Sequence, residues 1–573
     1  MLRYRYVAEG MTGELTTFID TRAAAFVEHY AIGPTAGADG FDGTTAWQQD
    51  TSGVVVPEDG GDTRQLAVNE AYRDANLWWR PDRGGAAIET EGCRQVKGLT
   101  YEVLAITPRG GKRFEAWFAV ASHLLARTVE QQAFQTITTE FGRYEPESAM
   151  LLPRTFTIDD GSGPAGLQKF TLVYAHLLPR RPLASYGPPL VRLSDYRIAG
   201  GAASTSAPIE LLNDHVIARV WIDGRGPFRF LLDTGGHDIV TPALARRLGL
   251  RRVGRMESTG AGTATVQGGY VRIKETRIAG ARLEDQAFAV LRFEPNDVEG
   301  FPVGGMLGFQ MFWRFIVRID YGRRELTLFD PARFHPPRGA VAVAVPFVFY
   351  NSMPEVNGAF AGIPGRFNID TGSRSELDLT KPFVNAYALR ERYPDGVIAV
   401  TGWGVGGPVR AYVVRASALQ LGSVTIPNVV ADLTTQSGGA FADPSYQGNV
   451  GSGLLKMFAV TLDYRNRMLY LERREPPSAD AGTYDRSGTW INRAGPNFRI
   501  ADVTAGGPAD SAGLEPGDLV LAVGGVPSSA IRLSDLRKRL RDGSPGTAVI
   551  LRILRHGTTR SIALRLEDQI PPQ

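Results

Sequence analysis

The sequence predicts a mainly β, multidomain chain, and three observations carry that expectation. Its 573 residues exceed what one hydrophobic core serves, because a domain usually holds ~100 to 200 residues. Short alternations of apolar and polar residues, rich in Val, Thr and aromatic side chains, recur between Gly, Asp and Pro turn signals. One motif also stands twice: Phe230-Leu-Leu-Asp-Thr-Gly-Gly236 and Phe367-Asn-Ile-Asp-Thr-Gly-Ser373 each set an Asp-Thr-Gly triplet at the end of an apolar run.

Residues 1 to 182 read as an antiparallel β domain, since short strands are broken by Gly and Asp pairs. Trp78, Trp79 and Trp117 are read as core fillers in preference to the lining of a ligand-holding concavity. Cys93, the single cysteine, is read as an inert core thiol, and a lone cysteine excludes both an internal disulfide and a thiolate metal cluster. Residues 183 to 206, rich in Gly, Ser and Pro, read as a linker.

Two related units come next, residues 207 to 335 and 339 to 475. Pro227-Phe-Arg-Phe-Leu-Leu-Asp233 lies over Pro364-Gly-Arg-Phe-Asn-Ile-Asp370 at an offset of 137 residues. Downstream, Thr259-Gly-Ala-Gly262 answers Thr401-Gly-Trp-Gly404 at 142. Gly305-Met-Leu-Gly308 answers Gly448-Asn-Val-Gly451 at 143, and the match runs on to Tyr321 and Tyr464. So small a drift marks an internal duplication. Alternation from Val216 to Ile222, a turn over Asp223-Gly-Arg-Gly-Pro227 and a returning strand from Phe228 put Asp233 at a strand-to-turn tip. A helix is expected after each triplet, over Thr241–Leu248 and Leu379–Tyr387, each with an early Pro. The segment Asp330-Pro-Ala-Arg-Phe-His-Pro-Pro337 separates the halves and cannot continue a central strand.

These paired triplets, each followed by an apolar-apolar-Gly sequence, resemble the retropepsin-like aspartic proteases over roughly half of the chain. The resemblance implies two acid-protease β-barrel halves forming a pseudo-dimer within one chain, with Asp233 and Asp370 as the catalytic pair. Two carboxylates ~3 Å apart cannot both ionise, so one becomes an acid and the other a base able to activate water. The same resemblance gives Thr234 and Thr371 the role of cross-linking the two loops, and Gly235 and Gly372 that of letting the chain turn beside the carboxylates. Gly308 and Gly451 would pack behind the loops, with Asn449 less apolar than the family pattern. Residues 259 to 268 and 401 to 408 would be flaps, with Trp403 at one tip. Ser373 fits the family, whereas Gly236 departs from it and predicts a looser first loop. His237 is read as a solvated loop residue that could line the cleft.

Residues 488 to 568 resemble a PDZ domain of the bacterial protease type, through Gly506-Gly-Pro-Ala-Asp-Ser-Ala-Gly-Leu514 and Gly517-Asp-Leu-Val-Leu-Ala-Val523. Such a domain adds an extended peptide to a sheet edge. The expected edge is Asn497, Phe498, Arg499, Ile500 and on to Val503, flanked by a helix over Ser534–Leu540. Pro496, which has no N–H, weakens carboxylate capture in the loop before it. The Phe-Asp-Gly-Thr-Thr-Ala-Trp47 stretch resembles the half-barrel of the periplasmic lipoprotein-carrier family, which implies a half-barrel for the first domain.

Lys and Arg number 63 against 60 Asp and Glu, so the net charge of +3 offers no broad basic field and no nucleic-acid partner is expected. The longest apolar run, around Ala340–Pro346, falls far short of the ~18 residues a spanning helix needs. No Gly-x-Ser-x-Gly elbow or His-Glu-x-x-His helix occurs, and neither metal nor cofactor is expected. The N-terminus lacks a signal-peptide pattern, which predicts a cytoplasmic chain, or an envelope or periplasmic one if a leader precedes it. The reading is an aspartic-type endopeptidase acting on polypeptide, its PDZ domain engaging substrate or partner. The alternatives are a non-catalytic scaffold that holds extended peptides and, last, a lipid or lipoprotein carrier built on the first domain.

Overall fold

A computed structural model describes residues 1–148, 150–164, 166–292, 295–337, 342–476 and 482–571. It is mainly β throughout, as the alternation pattern predicts. The first region is a large antiparallel sheet, with a small hairpin of Tyr144–Glu147 and Met150–Pro153 beside it, and its two arms run outward from the pairing of Leu2–Ala8 with Gln168–Ala175. The sheet curls around the helix Thr63–Asp74: Ala71 packs with Phe26 and Phe41 of one arm, and Tyr72 with Phe114 of the other. Trp78 and Trp117 fill core, as expected, but Trp79 is 60% exposed. Cys93 is exposed as well, because it lies on the strand Ala87–Val96, an edge of the sheet covered by no other strand.

This region is not separate from the duplicated halves. Val54 and Val56 are buried in the same cluster as Phe230, Phe349 and Phe367. Gly60 N donates to Phe349 O at 2.7 Å, and Ser352 N to Glu58 Oε1 at 3.2 Å. The stretch read as a linker is also structured: Tyr196–Ile198 pairs with Ala281–Val290, and Ser204–Pro208 with Glu325–Phe329. Just before the first of those strands, Asp195 pairs with Arg314, a fully buried guanidinium that also donates to Ser52 O at 2.9 Å. Gly, Ser and Pro content signals a missing core only where no neighbour supplies hydrogen bonds, and here a sheet does.

The duplication is visible strand by strand. In the first half His215–Ile222 and Arg225–Leu232 form a hairpin, and in the second Met353–Phe360 and Ile363–Asp370 do. Each hairpin turns on two residues with positive φ, Asp223-Gly224 (48° and 74°) and Ala361-Gly362 (46° and 82°), the geometry that matches strand twist. Gly226 and Pro227, expected in the first turn, lie within the strand instead. The last residues of each returning strand lie parallel to a short strand, Phe230↔Gly305 and Phe367↔Gly448, so both triplets emerge from a paired backbone. The helices expected after them are Pro242–Leu248, capped by Thr241 Oγ1 and ended by Gly249 at φ 70°, and Lys381–Ala386. Ile316–Asp320 pairs with Phe458–Asp463, joining the halves in one sheet. Of the apolar run around Ala340–Pro346, residues 340 and 341 lie outside the described residues, and Ala342–Tyr350 is a strand. No described helix is long and apolar enough to cross a membrane.

The C-terminal sheet runs in the order Thr489–Ala494, Asn497–Val503, Leu519–Val523, Ala548–Arg555, Thr558–Arg565, with the helix Leu533–Asp542 against it. Asn497–Val503 is therefore not the edge. It pairs on one side with Thr489–Ala494 and on the other through Phe498↔Val520 and Arg499↔Leu519. Phe498 and Ile500 are fully buried in the core of this domain, which corrects the expected peptide-binding strand. Pro496 sits in the hairpin turn between the first two strands, away from any carboxylate-binding loop.

Candidate active site

The two triplets face each other across the junction of the halves and are laced together symmetrically. Thr234 N donates to Thr371 Oγ1 at 3.1 Å and Thr371 N to Thr234 Oγ1 at 2.9 Å. The hydroxyls pass the pattern on, Thr234 Oγ1 to Ile369 O at 2.6 Å and Thr371 Oγ1 to Leu232 O at 2.9 Å. Both threonines are buried, so each of these donors would be costly to leave unmade.

This lacing sets each carboxylate against the glycine of the other triplet. A Cβ on Gly372 would lie 2.3 Å from Asp233 Cγ, and one on Gly235 would lie 3.3 Å from Asp370 Cγ. The glycines are needed for that close approach rather than for left-handed backbone, since neither has a positive φ.

The two carboxylates are held unequally. Asp370 Oδ1 accepts from Gly372 N at 2.8 Å and Ser373 N at 3.1 Å, while Oδ2 accepts from Asn449 Nδ2 at 2.8 Å. Asp233 accepts from Gly235 N at 2.7 Å and also from Gly236 N, but among the described residues no side-chain amide donates to it, the position matching Asn449 being Met306. Burial first, and then the charge of Asp370, push the Asp233 carboxyl well above the usual carboxylate range.

Behind the loops, Gly308 and Gly451 allow close backbone contact: a Cβ would lie 2.0 Å from Gly236 O and 2.3 Å from Ser375 O respectively. The matching backbone bonds are Phe309 N to Gly236 O at 2.9 Å and Ser452 N to Ser373 O at 2.8 Å. At Gly236 the space of a side chain is taken by Met306, whose sulfur would stand 2.6 Å from a Cβ there. Buried acids support both loops. Asp238 Oδ1 accepts from Gly308 N at 2.9 Å. In the second half Asp378 accepts from Ser373 Oγ at 3.2 Å and Asp432 from Ser375 Oγ at 2.9 Å.

Above the aspartates lies a cavity of about 730 Å³. Its roof is formed by two hairpins, Val253–Ser258 with Val266–Ile278 and Val397–Gly404 with Gly407–Leu421. Their tips touch: Gly262 N donates to Val405 O at 2.9 Å and Ala264 N to Gly406 O at 3.0 Å. Trp403 lines the cavity beneath the second tip. His237 lines it too, exposed at the cavity wall with its Nδ1 3.1 Å from Gln310 Nε2.

One wall was not foreseen. Tyr6, Glu9, Tyr30, Gln48 and Asp50 of the first domain line the same cavity, as do Glu299 and Phe301. No local motif marks these residues, and only the fold brings them to the aspartates. The role of Asn449 was half visible, as a departure from an apolar pattern beside the triplet.

Family models match two segments, residues 218–311 as "Aspartyl protease" and residues 499–555 as "PDZ domain". The chain thus carries an aspartyl protease domain and a C-terminal PDZ domain. The second triplet lies beyond the first matched segment, and its likeness to the first rests on the duplicated strands described above. Among solved structures the chain is similar to an aspartic proteinase from Irpex lacteus, at 12% identity and a TM-score of 0.34, over 49% of this chain and 100% of that one. No curated protein sequence matches.

Proposed function

We propose that the chain is an aspartic-type endopeptidase that hydrolyses peptide bonds with a water held between Asp233 and Asp370. The observation that carries this reading is the pair of opposed carboxylates, each against the glycine of the other triplet and hydrogen-bonded unequally. The aspartyl protease domain supports the same class.

Unequal support divides the work. Donors from Gly372, Ser373 and Asn449 favour a negative charge on Asp370, so Asp370 is the base. Asp233, raised by burial and by its neighbour's charge, keeps the shared proton and is the acid. An extended peptide lies in the cavity beneath the hairpins, its scissile carbonyl accepting a hydrogen bond from protonated Asp233. Asp370 removes a proton from the water as its oxygen bonds to the carbonyl carbon, and the carbonyl oxygen takes the proton of Asp233. The proton on Asp370 then passes to the amide nitrogen, the C–N bond breaks, and Asp233 recovers a proton from the diol. No covalent intermediate forms.

The test is digestion of an unfolded protein and of a peptide library by wild type, Asp233→Asn and Asp370→Asn at several pH values. Cleavage by wild type alone is expected. Peptide binding without cleavage by any of the three would leave a scaffold that uses the protease fold to hold extended chains.

A further inference from the structure

A PDZ domain receives peptide between an edge strand and a helix, and seats a terminal carboxylate on backbone N–H groups. Here those parts are the edge strand Thr489–Ala494 and the helix Leu533–Asp542, and both are already engaged from within the chain. The short helix Pro295–Glu299 of the first half packs against the edge strand. Gly300, at φ +78°, follows it so closely that a Cβ would lie 2.5 Å from Leu533 Cβ. Arg537 spans the groove, its Nη2 donating to Ile491 O of the edge strand at 2.7 Å and to Val298 O at 2.6 Å.

The carboxylate of Glu299 lies beside the guanidinium of the PDZ helix, 3.6 Å from Arg537 Nη1, and 3.6 Å from His215 Nε2. The amides leading into the edge strand are taken as well: Ser487 N and Gly488 N donate to Asp485 Oδ2 at 3.1 and 2.7 Å. Trp490, on the edge strand, is held between Arg537 at 4.9 Å and Arg374 at 5.0 Å, and Arg374 lines the aspartate cavity.

We propose that the PDZ groove is a docking surface whose resident ligand is the chain's own Asn296–Gly300 segment, held in competition with free peptides of the same chemistry. That chemistry is a small or apolar residue against Leu533 next to a carboxylate for Arg537. Val298, Glu299 and Phe301 also line the aspartate cavity, so whatever fills the groove sets one wall of the cleft. The consequence for cleavage rests on the endopeptidase reading, but the docking itself does not, and is measured without catalysis. Affinity for the free peptide is reduced by the fraction of molecules whose groove is closed, and opening the groove restores it.

The probe is a fluorescein-labelled peptide of residues 295–302, Pro-Asn-Asp-Val-Glu-Gly-Phe-Pro, followed by anisotropy on the full chain. In Gly300→Val the added side chain cannot share the space of Leu533, so the resident segment leaves the groove. This variant is expected to bind the probe at least tenfold more tightly than wild type, to exchange amide hydrogens faster over 489–494, and to lose the gain when Arg537→Gln is added. Glu299→Gln, which keeps the backbone and removes the charge, is expected to bind several-fold more tightly and decides the matter if Gly300→Val does not fold. Equal affinity in wild type and folded variants, or no binding to any of them, overturns the proposal and leaves a fixed domain interface.

Discussion

The side-chain amide of Asn449 donates to Asp370 Oδ2 at 2.8 Å, and the matching residue of the first half, Met306, has no side-chain N–H to donate to Asp233. Two identical side chains in duplicated loops are made chemically different by that one pair. A hydrogen bond to a charged group contributes about 1.5 to 3 kcal/mol, enough to decide which carboxylate holds the shared proton. Asn449→Leu is expected to move the acidic limb of the kcat/KM profile upward by about one pH unit, since about 1.4 kcal/mol of support for the ionised pair is lost. It should also lower kcat about tenfold. An unchanged acidic limb would mean that Asn449 serves packing only.

Asp233→Asn and Asp370→Asn should each lower kcat by on the order of 10³-fold, because each removes the acid or the base. Asp233→Asn should not lower the melting temperature near neutral pH. Asp233 is a carboxyl whose charge is disfavoured by burial and by Asp370, and an amide of the same shape removes that cost. Wild-type activity in either variant would refute the shared dyad.

Thr371→Val deletes the hydroxyl that donates to Leu232 O and accepts from Thr234 N, leaving two buried groups unpaired. At about 1 to 3 kcal/mol for each unmade bond, a loss of a few kcal/mol in denaturant unfolding is expected. Thr371→Ser keeps the hydroxyl and should recover most of it. Equal losses in both variants would assign the effect to the methyl group instead.

Much of the protease region was legible because its signals are local. A triplet at a strand end, an apolar-apolar-Gly and a turn residue with positive φ each occupy a few neighbouring positions, and repetition multiplied them. The PDZ edge was misplaced by one strand. Asn497–Val503 and Thr489–Ala494 both alternate, and only pairing across the sheet distinguishes an inner strand from an edge. The linker was misread because Asp195 and the strands around it gain their order from Arg314 and from distant sheets. The wall formed by Tyr6, Glu9 and Asp50 has no local signature, since long-range docking alone creates it.

Burial pushes the carboxyls of Glu58, Asp238 and Glu376 up to about 7. In the unfolded chain such groups release their protons near ~4, whereas the folded chain keeps them until about pH 7. Between those values the folded state binds more protons, so stability is highest at the acidic end and falls as pH rises. Each pH unit with one such proton difference changes stability by about 1.4 kcal/mol. Denaturant midpoints should therefore decline from pH 5 to pH 7.5. Asp238→Asn keeps an acceptor for Gly308 N and should make the decline shallower; an identical slope would show that Asp238 is ionised across this range.

The two roof hairpins are each tied to a different neighbouring domain. The first is held by the N-terminal region, with Arg255 N donating to Glu9 O at 2.7 Å and Tyr270 Oη to Glu9 Oε1 at 3.2 Å. The second is held by the PDZ domain, where Arg410 pairs with Asp502. Arg410 is about half exposed, and a partly exposed pair contributes at most about 1 kcal/mol, so breaking it should barely change global stability. Local opening responds to such small terms, because flaps belong to the least stable parts of a fold. Asp502→Asn should thus speed amide exchange over Val397–Leu421 and leave 253–278 as in wild type, while Tyr270→Phe should do the reverse. Each should raise KM for a peptide more than it lowers kcat. Exchange that rises in both hairpins together would show that the touching tips, Gly262 and Val405, govern the roof as one unit and that the flanking domains do not hold its halves separately.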